Sequence, residues 1–244
     1  FFDSLFARKD HYPETLTPEN CLEILDTYRS WPIDDTGNNE WFVRTLLPEL
    51  RQQAEAQGTS IYEILNDWVG SIPPEEFVPV FLPFVMGSNV HPNARGSFVG
   101  LSLSCGREQL ARAVYEGIAF GHRWHLEKLL RTRESPPRCI RLAGGAARSA
   151  VWAQMFADIM KLPVETVAAG ETGALGCAIT AAVATGEYPD LDTAVAAMTG
   201  VAHRYEPNTA VTGIYDRKYR LYRRTLEQLD GLWDDMQALI EEGT

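Results

Sequence analysis

A short apolar segment that runs directly into two glycines constrains the fold of this 244-residue chain more than any other feature. Residues 139–143 have the composition of a strand, Gly144 and Gly145 follow, and a helical pattern resumes near Ser149. A second candidate strand at 164–167 comes after that helix. Strands that alternate with helices predict an α/β fold, in which helices cover a sheet.

Hydrophobic periodicity predicts helices along most of the remaining chain. They are expected over residues 39–56, 60–69, 107–130, 149–161, 173–185 and 215–240, with further strands at 77–82 and 97–101. A short helix is also predicted to open at Thr17, with Pro18 in its first turn. The last helix has apolar residues at spacings of four and three, which favours one long amphipathic helix packed on its own domain over a coiled coil.

The predicted helix 107–130 carries two glycines four residues apart, Gly117 and Gly121. Each lowers helix propensity by roughly 1 kcal/mol relative to alanine. Such a loss is tolerated where another backbone must approach closely. We therefore expect a close contact on this face of the helix.

The turn at Gly144 and Gly145 is the best candidate for a ligand site. Glycines let a ligand approach the backbone, and the amides at the start of a helix suit phosphate. A plain strand-to-helix turn remains an alternative, and the segment matches neither the P-loop nor the dinucleotide pattern. A second small-residue run, 171–178, is either the wall of a pocket or a core helix that needs close contacts.

Charge and cysteine content narrow the class of protein. The 33 acidic and 22 basic residues give a net charge of −11, which argues against nucleic-acid binding. Four scattered cysteines and no apolar run of about 20 residues predict a cytoplasmic protein that has no membrane partner. The chain shows no signal-peptide pattern and opens with Phe1 rather than Met, so we expect it to be part of a longer product.

Four segments in order resemble the FGGY carbohydrate kinases. Residues 96–120 are similar to the second signature of that family, and the Gly-Gly-Ala-x-x-Ser run at 144–149 and the Thr-Gly-Ala-x-Gly-x-Ala run at 172–178 follow in the family's order. Upstream, residues 37–41 (GNNEW) resemble the segment that opens the C-terminal domain. The resemblance implies an RNase-H-like domain of the actin/hexokinase/Hsp70 ATPase type, with a mixed sheet flanked by helices. It also implies transfer of the γ-phosphoryl group of ATP, with Mg²⁺, to a sugar hydroxyl.

The same resemblance implies three groups of residues around the nucleotide. No metal ligand is predicted within the chain. The residues expected to line the adenine and phosphate side are Gly144, Gly145, Ala146 and Ser149. Asn38 and Glu40 are expected to approach the nucleotide from the opposite wall. Gly173 and Gly176 are expected to support the pocket without touching the ligand.

Two family motifs do not occur in this sequence: the Asp-x-Gly-Thr phosphate loop and the later catalytic aspartate, both of the N-terminal domain. We therefore expect residues 37–244 to be the C-terminal nucleotide-binding domain, and 1–36 to be a remnant of the preceding one. The catalytic base is expected on that partner domain, so the isolated chain should be inactive. Members of this family are often dimers, which leaves a homodimer open.

Residues 87–89 (Gly-Ser-Asn) look more similar to L-xylulose kinases than to other xylulose kinases. The expected substrate is a ketopentose such as L-xylulose, or a related ketose or polyol. The alternative is an actin-like nucleotide-binding regulatory module without kinase chemistry.

Several polar side chains have both a functional and a structural interpretation. His122 and His125, three apart on one helix, could hold a metal, although packing is favoured. His91 is a candidate ligand or interdomain contact, Glu116 is expected to be a salt-bridged structural carboxylate, and Arg148 faces either solvent or ATP.

Overall fold

A computed structural model describes residues 35–88, 90–131, 135 and 137–243. The predicted helix near Thr17 and the rest of the segment up to residue 34 lie outside the described residues, as does Asn89. The chain divides into two compact units. Of the described residues, 35–61, 78–125 and 220–243 form the first unit, and 62–77 with 126–219 form the second.

The described elements are helices and short strands. In chain order they are α1 (Asp35–Leu46), α2 (Pro48–Ala56), α3 (Ile61–Ser71), β1 (Val80–Leu82), β2 (Ser97–Val99), α4 (Arg107–Leu130), β3 (Ile140–Leu142), a 3₁₀ turn (Gly145–Arg148), α5 (Ala150–Met160), β4 (Val164–Val167), α6 (Thr172–Ala184), α7 (Leu191–Met198), β5 (Val201–Tyr205), α8 (Thr209–Leu229) and α9 (Leu232–Glu242). Strands β1 and β2 pair antiparallel. The second sheet has the order β3-β4-β5, with β3 parallel and β5 antiparallel to β4. This mixed sheet among helices confirms the α/β prediction.

In the first unit, α4 packs closely on the β1 strand. A Cβ added to Gly117 would collide with the backbone carbonyl of Phe81, so this glycine confirms the predicted close approach. Gly121 differs, because an added Cβ would lie 3.6 Å from Pro83, an ordinary contact distance. The ten residues 111–120 of α4 are all buried.

In the second unit, α5 is anchored by a buried carboxylate. Asp158 accepts hydrogen bonds of 2.8 Å from the side-chain amide of Gln154 and from the backbone N–H of Asn208. Burial raises the pKa of Asp158, and these two hydrogen bonds act in the opposite direction. The carboxylate thus ties α5 to the segment that leads into α8.

Two long helices predicted from periodicity are each broken in the structure. The predicted helix 39–56 consists of α1 and α2, because Pro48 has no N–H to continue the first helix and instead begins the second. The predicted helix 215–240 is wrong as a single element: α8 ends at Leu229 and α9 begins after Gly231, a poor helix former. The apolar spacing continues across both breaks, which is why periodicity alone missed them.

Strand lengths were also overestimated. The predicted strand 77–82 is hydrogen-bonded only from Val80, and Phe77 is exposed. The predicted strand 164–167 and the predicted helix 107–130 agree with β4 and α4. None of the helices in the described part of the chain combines the length and apolar character that a bilayer crossing requires.

Candidate functional site

The parallel pair β3 and β4 places two turns at one edge of the sheet. Because parallel strands end at the same side, the turn after β3 and the loop at 168–171 after β4 leave from the same edge. In open α/β sheets, ligands bind outside the carboxyl ends of the strands. This edge is therefore the candidate location for a ligand site in the second unit.

The turn after β3 has a backbone conformation that requires glycine. Gly144 has φ 76° and ψ −155°, a region that side chains exclude. No atom of the described residues would lie within 4 Å of a Cβ added there, so space is not what requires glycine. Ala143, Gly144 and Gly145 are all exposed, and the turn is open rather than sealed inside the protein.

Two backbone amides at the start of this turn, in exposed Gly145 and in buried Ala146, make no hydrogen bond within it. The first hydrogen bond runs from the N–H of Ala147 to the carbonyl of Gly144, at 3.2 Å. The N–H groups of Gly145 and Ala146 come before it, so neither has a partner within the turn. Adjacent amides of this kind form a concavity that suits phosphate oxygens.

The sequence predicted that the glycines lead straight into an α-helix, and this prediction is wrong. A 3₁₀ turn over Gly145–Arg148 comes first, and α5 begins only at Ala150. Ser149 caps α5 and accepts a 3.1 Å hydrogen bond from the N–H of Trp152. The amides nearest the glycines thus belong to the 3₁₀ turn.

Ser149 is 6% exposed and both roles of its hydroxyl are used within the protein. Besides capping α5, it donates a 2.6 Å hydrogen bond to the Oδ1 atom of Asn66 on α3. The sequence resemblance placed Ser149 on the lining of the pocket. Its contacts in the structure link the end of the 3₁₀ turn to α3 and α5.

Arg148 connects the two turns at the edge of the sheet. Its Nη2 atom lies 3.4 Å from the carbonyl of Gly170 and 3.4 Å from a carboxylate oxygen of Glu171. The pair is exposed, and such pairs contribute little to stability, typically less than about 1 kcal/mol. Sequence reasoning did not find Gly170 or Glu171 as partners, although Glu171 opens the small-residue run at 171–178.

Helix α6 after the second turn is mostly exposed. Gly173 and Gly176 have no atom of the described residues within 4 Å of an added Cβ. Ile179 is the buried residue of this helix. The described contacts therefore do not explain the two glycines by close packing, which was one of the two interpretations of this run.

Asn38 and Glu40 lie on α1 in the first unit. The Oδ1 atom of buried Asn38 accepts a 3.3 Å hydrogen bond from the N–H of Val85. Glu40 forms a 2.6 Å ion pair with Arg51 on α2, and this carboxylate raises the pKa of the guanidinium. These contacts give both residues a structural role within their own unit.

The remaining polar candidates are engaged in structural contacts. Arg112 and Glu116 form a buried 2.9 Å ion pair, each side chain being 4% exposed, which confirms the structural interpretation of Glu116. The Nδ1 atom of His91 accepts from the N–H of Asn93, and its Nε2 atom lies 3.7 Å from Asp234. Among the described residues, no three His, Cys, Asp or Glu side chains form a group that could hold a metal ion.

Comparison with known proteins gives consistent relatives. Residues 35–185 match the profile of the FGGY family of carbohydrate kinases, C-terminal domain. The chain is 32% identical over 209 residues to the L-xylulose/3-keto-L-gulonate kinase of Escherichia coli, covering 86% of this chain and 39% of that one. It is 30% identical over 195 residues to the gluconokinase of Bacillus subtilis, covering 77% and 37%.

Among solved structures, the xylulose kinase from Rhodospirillum rubrum superposes with a TM-score of 0.68 at 30% identity, covering 82% of this chain and 39% of that one. This likeness confirms the fold that the resemblance implied. The chain spans about two-fifths of the length of the curated relatives it matches, at most 39% of those described above. With a match over residues 35–185, the chain belongs to the FGGY family of carbohydrate kinases, and the matched part is the family's C-terminal domain.

Proposed function

We propose that this chain supplies the nucleotide-binding part of an ATP-dependent kinase that phosphorylates a ketopentose such as L-xylulose. The observation that carries the proposal is the open turn at Gly144, whose following amides are unpaired within the turn, at the carboxyl edge of the β3–β4 pair. The relatives described above are all kinases, which favours an enzyme over an actin-like regulatory module.

In this proposal the phosphates of ATP accept hydrogen bonds from the N–H groups of Gly145 and Ala146. Gly144 supplies the backbone conformation that exposes them, and Ser149 fixes the end of the turn. Preorganised donors of this kind act strongly on a charged group because they need not reorient when it binds.

The other nucleotide-side residues rest on the family resemblance. Asn38 and Glu40 are proposed to approach the nucleotide while keeping their contacts to Val85 and Arg51. Gly173 and Gly176 are proposed to keep the start of α6 free of side chains.

Mg²⁺ is proposed to arrive bound to ATP. In kinases this ion is held by phosphate oxygens and waters with one or two carboxylates, so a dedicated group of protein ligands is not needed. When bound, it neutralises the charge that develops on the transferred phosphoryl group.

The catalytic base and most sugar contacts are proposed to lie on an N-terminal domain, the part of the relatives that this chain does not match. Phosphoryl transfer needs nucleophile and γ-phosphate to be positioned together. The 244-residue chain should therefore release no ADP in a sugar-dependent manner. Turnover at ordinary kinase rates would place the base within this chain.

The names of the relatives differ in substrate: one is an L-xylulose/3-keto-L-gulonate kinase and the other a gluconokinase. The similarity at residues 87–89 favours L-xylulose. A panel of pentuloses, aldonates and polyols, tested on a protein that contains this chain and the N-terminal domain, decides among them. A preference for gluconate over every pentulose would contradict the proposed substrate.

The nucleotide site is tested by titrating the chain with ATP and Mg²⁺ in a calorimeter. Gly145→Val inserts a branched side chain into the exposed turn and should weaken binding by at least about tenfold, or 1.4 kcal/mol. The control is Gly213→Val, an exposed glycine on α8 in the same unit, which should leave the affinity unchanged. Equal affinities of wild type and Gly145→Val would remove the turn from the nucleotide site.

A further inference from the structure

We infer that Asn66 is a positioning residue for the phosphate-binding turn, and that it acts through Ser149. This inference rests on the proposed function. Asn66 lies on α3, 83 residues before Ser149 in the chain, and its Oδ1 atom accepts a 2.6 Å hydrogen bond from the hydroxyl of that serine.

The orientation of Ser149 is determined by two hydrogen bonds. Its Oγ atom accepts from the N–H of Trp152 and donates to Asn66. The Ser149 hydroxyl is buried and has only one proton to donate, so its hydrogen bond to Asn66 is the only one it can donate. Losing Asn66 would leave this proton without its acceptor in a buried place, so the side chain would turn to find another.

Ser149 joins the phosphate turn to α5. It ends the 3₁₀ turn, where its backbone N–H donates to the carbonyl of Ala146 at 3.2 Å, and it caps the helix that follows. A movement of Ser149 is therefore transmitted to Ala146, one of the two residues whose amides are proposed to bind phosphate. A displacement of about 1 Å at such a site is enough to lower activity or affinity strongly.

Helix α3 also approaches α5 at a second point, one helical turn further along. A Cβ added to exposed Gly70 would lie 3.4 Å from the Cγ2 atom of Val151 on α5, an ordinary contact distance. Asn66 and Gly70 are four residues apart, so they lie on the same face of α3. The two helices therefore come close to each other at Gly70 as well as at the hydrogen bond between Asn66 and Ser149.

A hydrogen bond that only stabilised the fold would not distinguish ligands with and without phosphate. A bond that positions the turn affects the phosphate contacts and leaves the nucleoside contacts intact. The ratio of the ADP and adenosine dissociation constants separates the two roles.

The test is calorimetric titration of the 244-residue chain with ADP and Mg²⁺ and, separately, with adenosine. Asn66→Leu removes the acceptor at similar volume and should weaken ADP binding at least about tenfold, with adenosine binding changed by less than about twofold. Ser71→Ala is the control, because the Ser71 hydroxyl bonds to the carbonyl of Trp68 within the same helix. It should change neither constant.

The route through Ser149 is tested by a double-mutant cycle. In a Ser149→Ala background, adding Asn66→Leu should produce no further loss of ADP affinity, whereas Ser149→Thr, which keeps the hydroxyl, should retain the ADP preference. Additive losses would overturn the inference, as would equal losses for ADP and adenosine.

Thermal melting shows whether each variant is folded. If Asn66→Leu does not fold, Asn66→Ser, which is polar but too short to reach Ser149, carries the same expectation. Unchanged ADP binding in a folded Asn66 variant overturns the inference alone. A wild-type chain that binds no ADP overturns the proposed function, and the inference with it.

Discussion

The buried segment of α4 and the turn after β3 both contain glycines from the family's motifs, but the glycines serve opposite purposes. In α4, Gly117 is needed because a Cβ would collide with the Phe81 carbonyl. In the turn, Gly144 has free space around it and is needed for its positive φ. The helix uses glycine to close a packing interface, and the turn uses it to present backbone to solvent. A glycine of a family motif can therefore serve packing or ligand binding, and the local structure shows which role it has.

The burial of α4 is tested by the largest expected effect, the loss of the buried ion pair of Arg112 and Glu116. Arg112→Met leaves Glu116 buried without its guanidinium partner and should lower the free energy of unfolding by about 3–5 kcal/mol, measured by urea denaturation. The control is Arg51→Met, since the ion pair of Arg51 and Glu40 is partly exposed and its loss should change the free energy of unfolding far less. Equal losses of unfolding free energy in the two variants would mean that the ion pair on α4 is no better shielded from water than an exposed pair.

The two glycines of α4 give the next largest difference. Gly117→Ala should destabilise the chain by about 1–3 kcal/mol, because its methyl group meets backbone that cannot easily move. Gly121→Ala should be neutral or stabilising by about 0.5–1 kcal/mol, since the added Cβ makes ordinary contacts and alanine favours the helix. Urea denaturation of both variants measures the difference, and a stable Gly117→Ala protein would contradict the close approach.

At the open turn the expected cost comes from the backbone alone. Gly144→Ala should lower the free energy of unfolding by about 1–3 kcal/mol, since alanine must adopt φ 76° or force the turn to change. Gly176→Ala on exposed α6 is the matched control and should gain up to about 1 kcal/mol of helix propensity. If both alanine variants behaved alike, the conformation of the turn would not be the reason for its glycine.

The smallest effect is a pH dependence from Tyr115 in the buried segment of α4. Burial raises the pKa of Tyr115 to about 12, and a hydrogen bond from Asn39 acts in the opposite direction. In the unfolded chain the phenol titrates near pH 10. Its contribution to stability is therefore complete below about pH 10 and is lost as the pH rises toward 12, because the unfolded state ionises first.

The check for Tyr115 is urea denaturation of wild type and Tyr115→Phe between about pH 9 and pH 12. The wild type should lose stability more steeply than the variant, which has no phenol to ionise. Identical slopes would show that this side chain is not shielded from water in the folded state.

Much of the fold could be predicted because helices, turns and close backbone contacts each favour particular residue types and spacings. The spacing of Gly117 and Gly121 predicted a close contact, although nothing in the sequence showed that it falls on the first glycine and not on the second. The breaks before Pro48 and at Gly231 were missed because apolar residues keep their helical spacing across them. A proline at such a position was the available signal for the first break.

The candidate site was predictable in part for the same reason. Gly144 and Gly145 stood out as glycines between a strand and a helix, whereas the partners of Ser149 and Arg148 did not. Asn66 is an ordinary helix residue far away in the chain, and no sequence signal identifies it as the acceptor of Ser149. Glu171 begins a recognisable run, yet its pairing with Arg148 depends on β3 and β4 lying side by side.

The sequence by itself determined the family and the alternation of strands and helices, and it marked glycines as candidate positions for a close approach or a special backbone conformation. These are consequences of residue type and spacing, which act within a few residues along the chain. Only the tertiary structure decided that Gly117 is sealed, that the turn at Gly144 is open, and that Ser149 is held by Asn66. Such roles depend on which distant segments come together, and residue identity carries little information about that pairing.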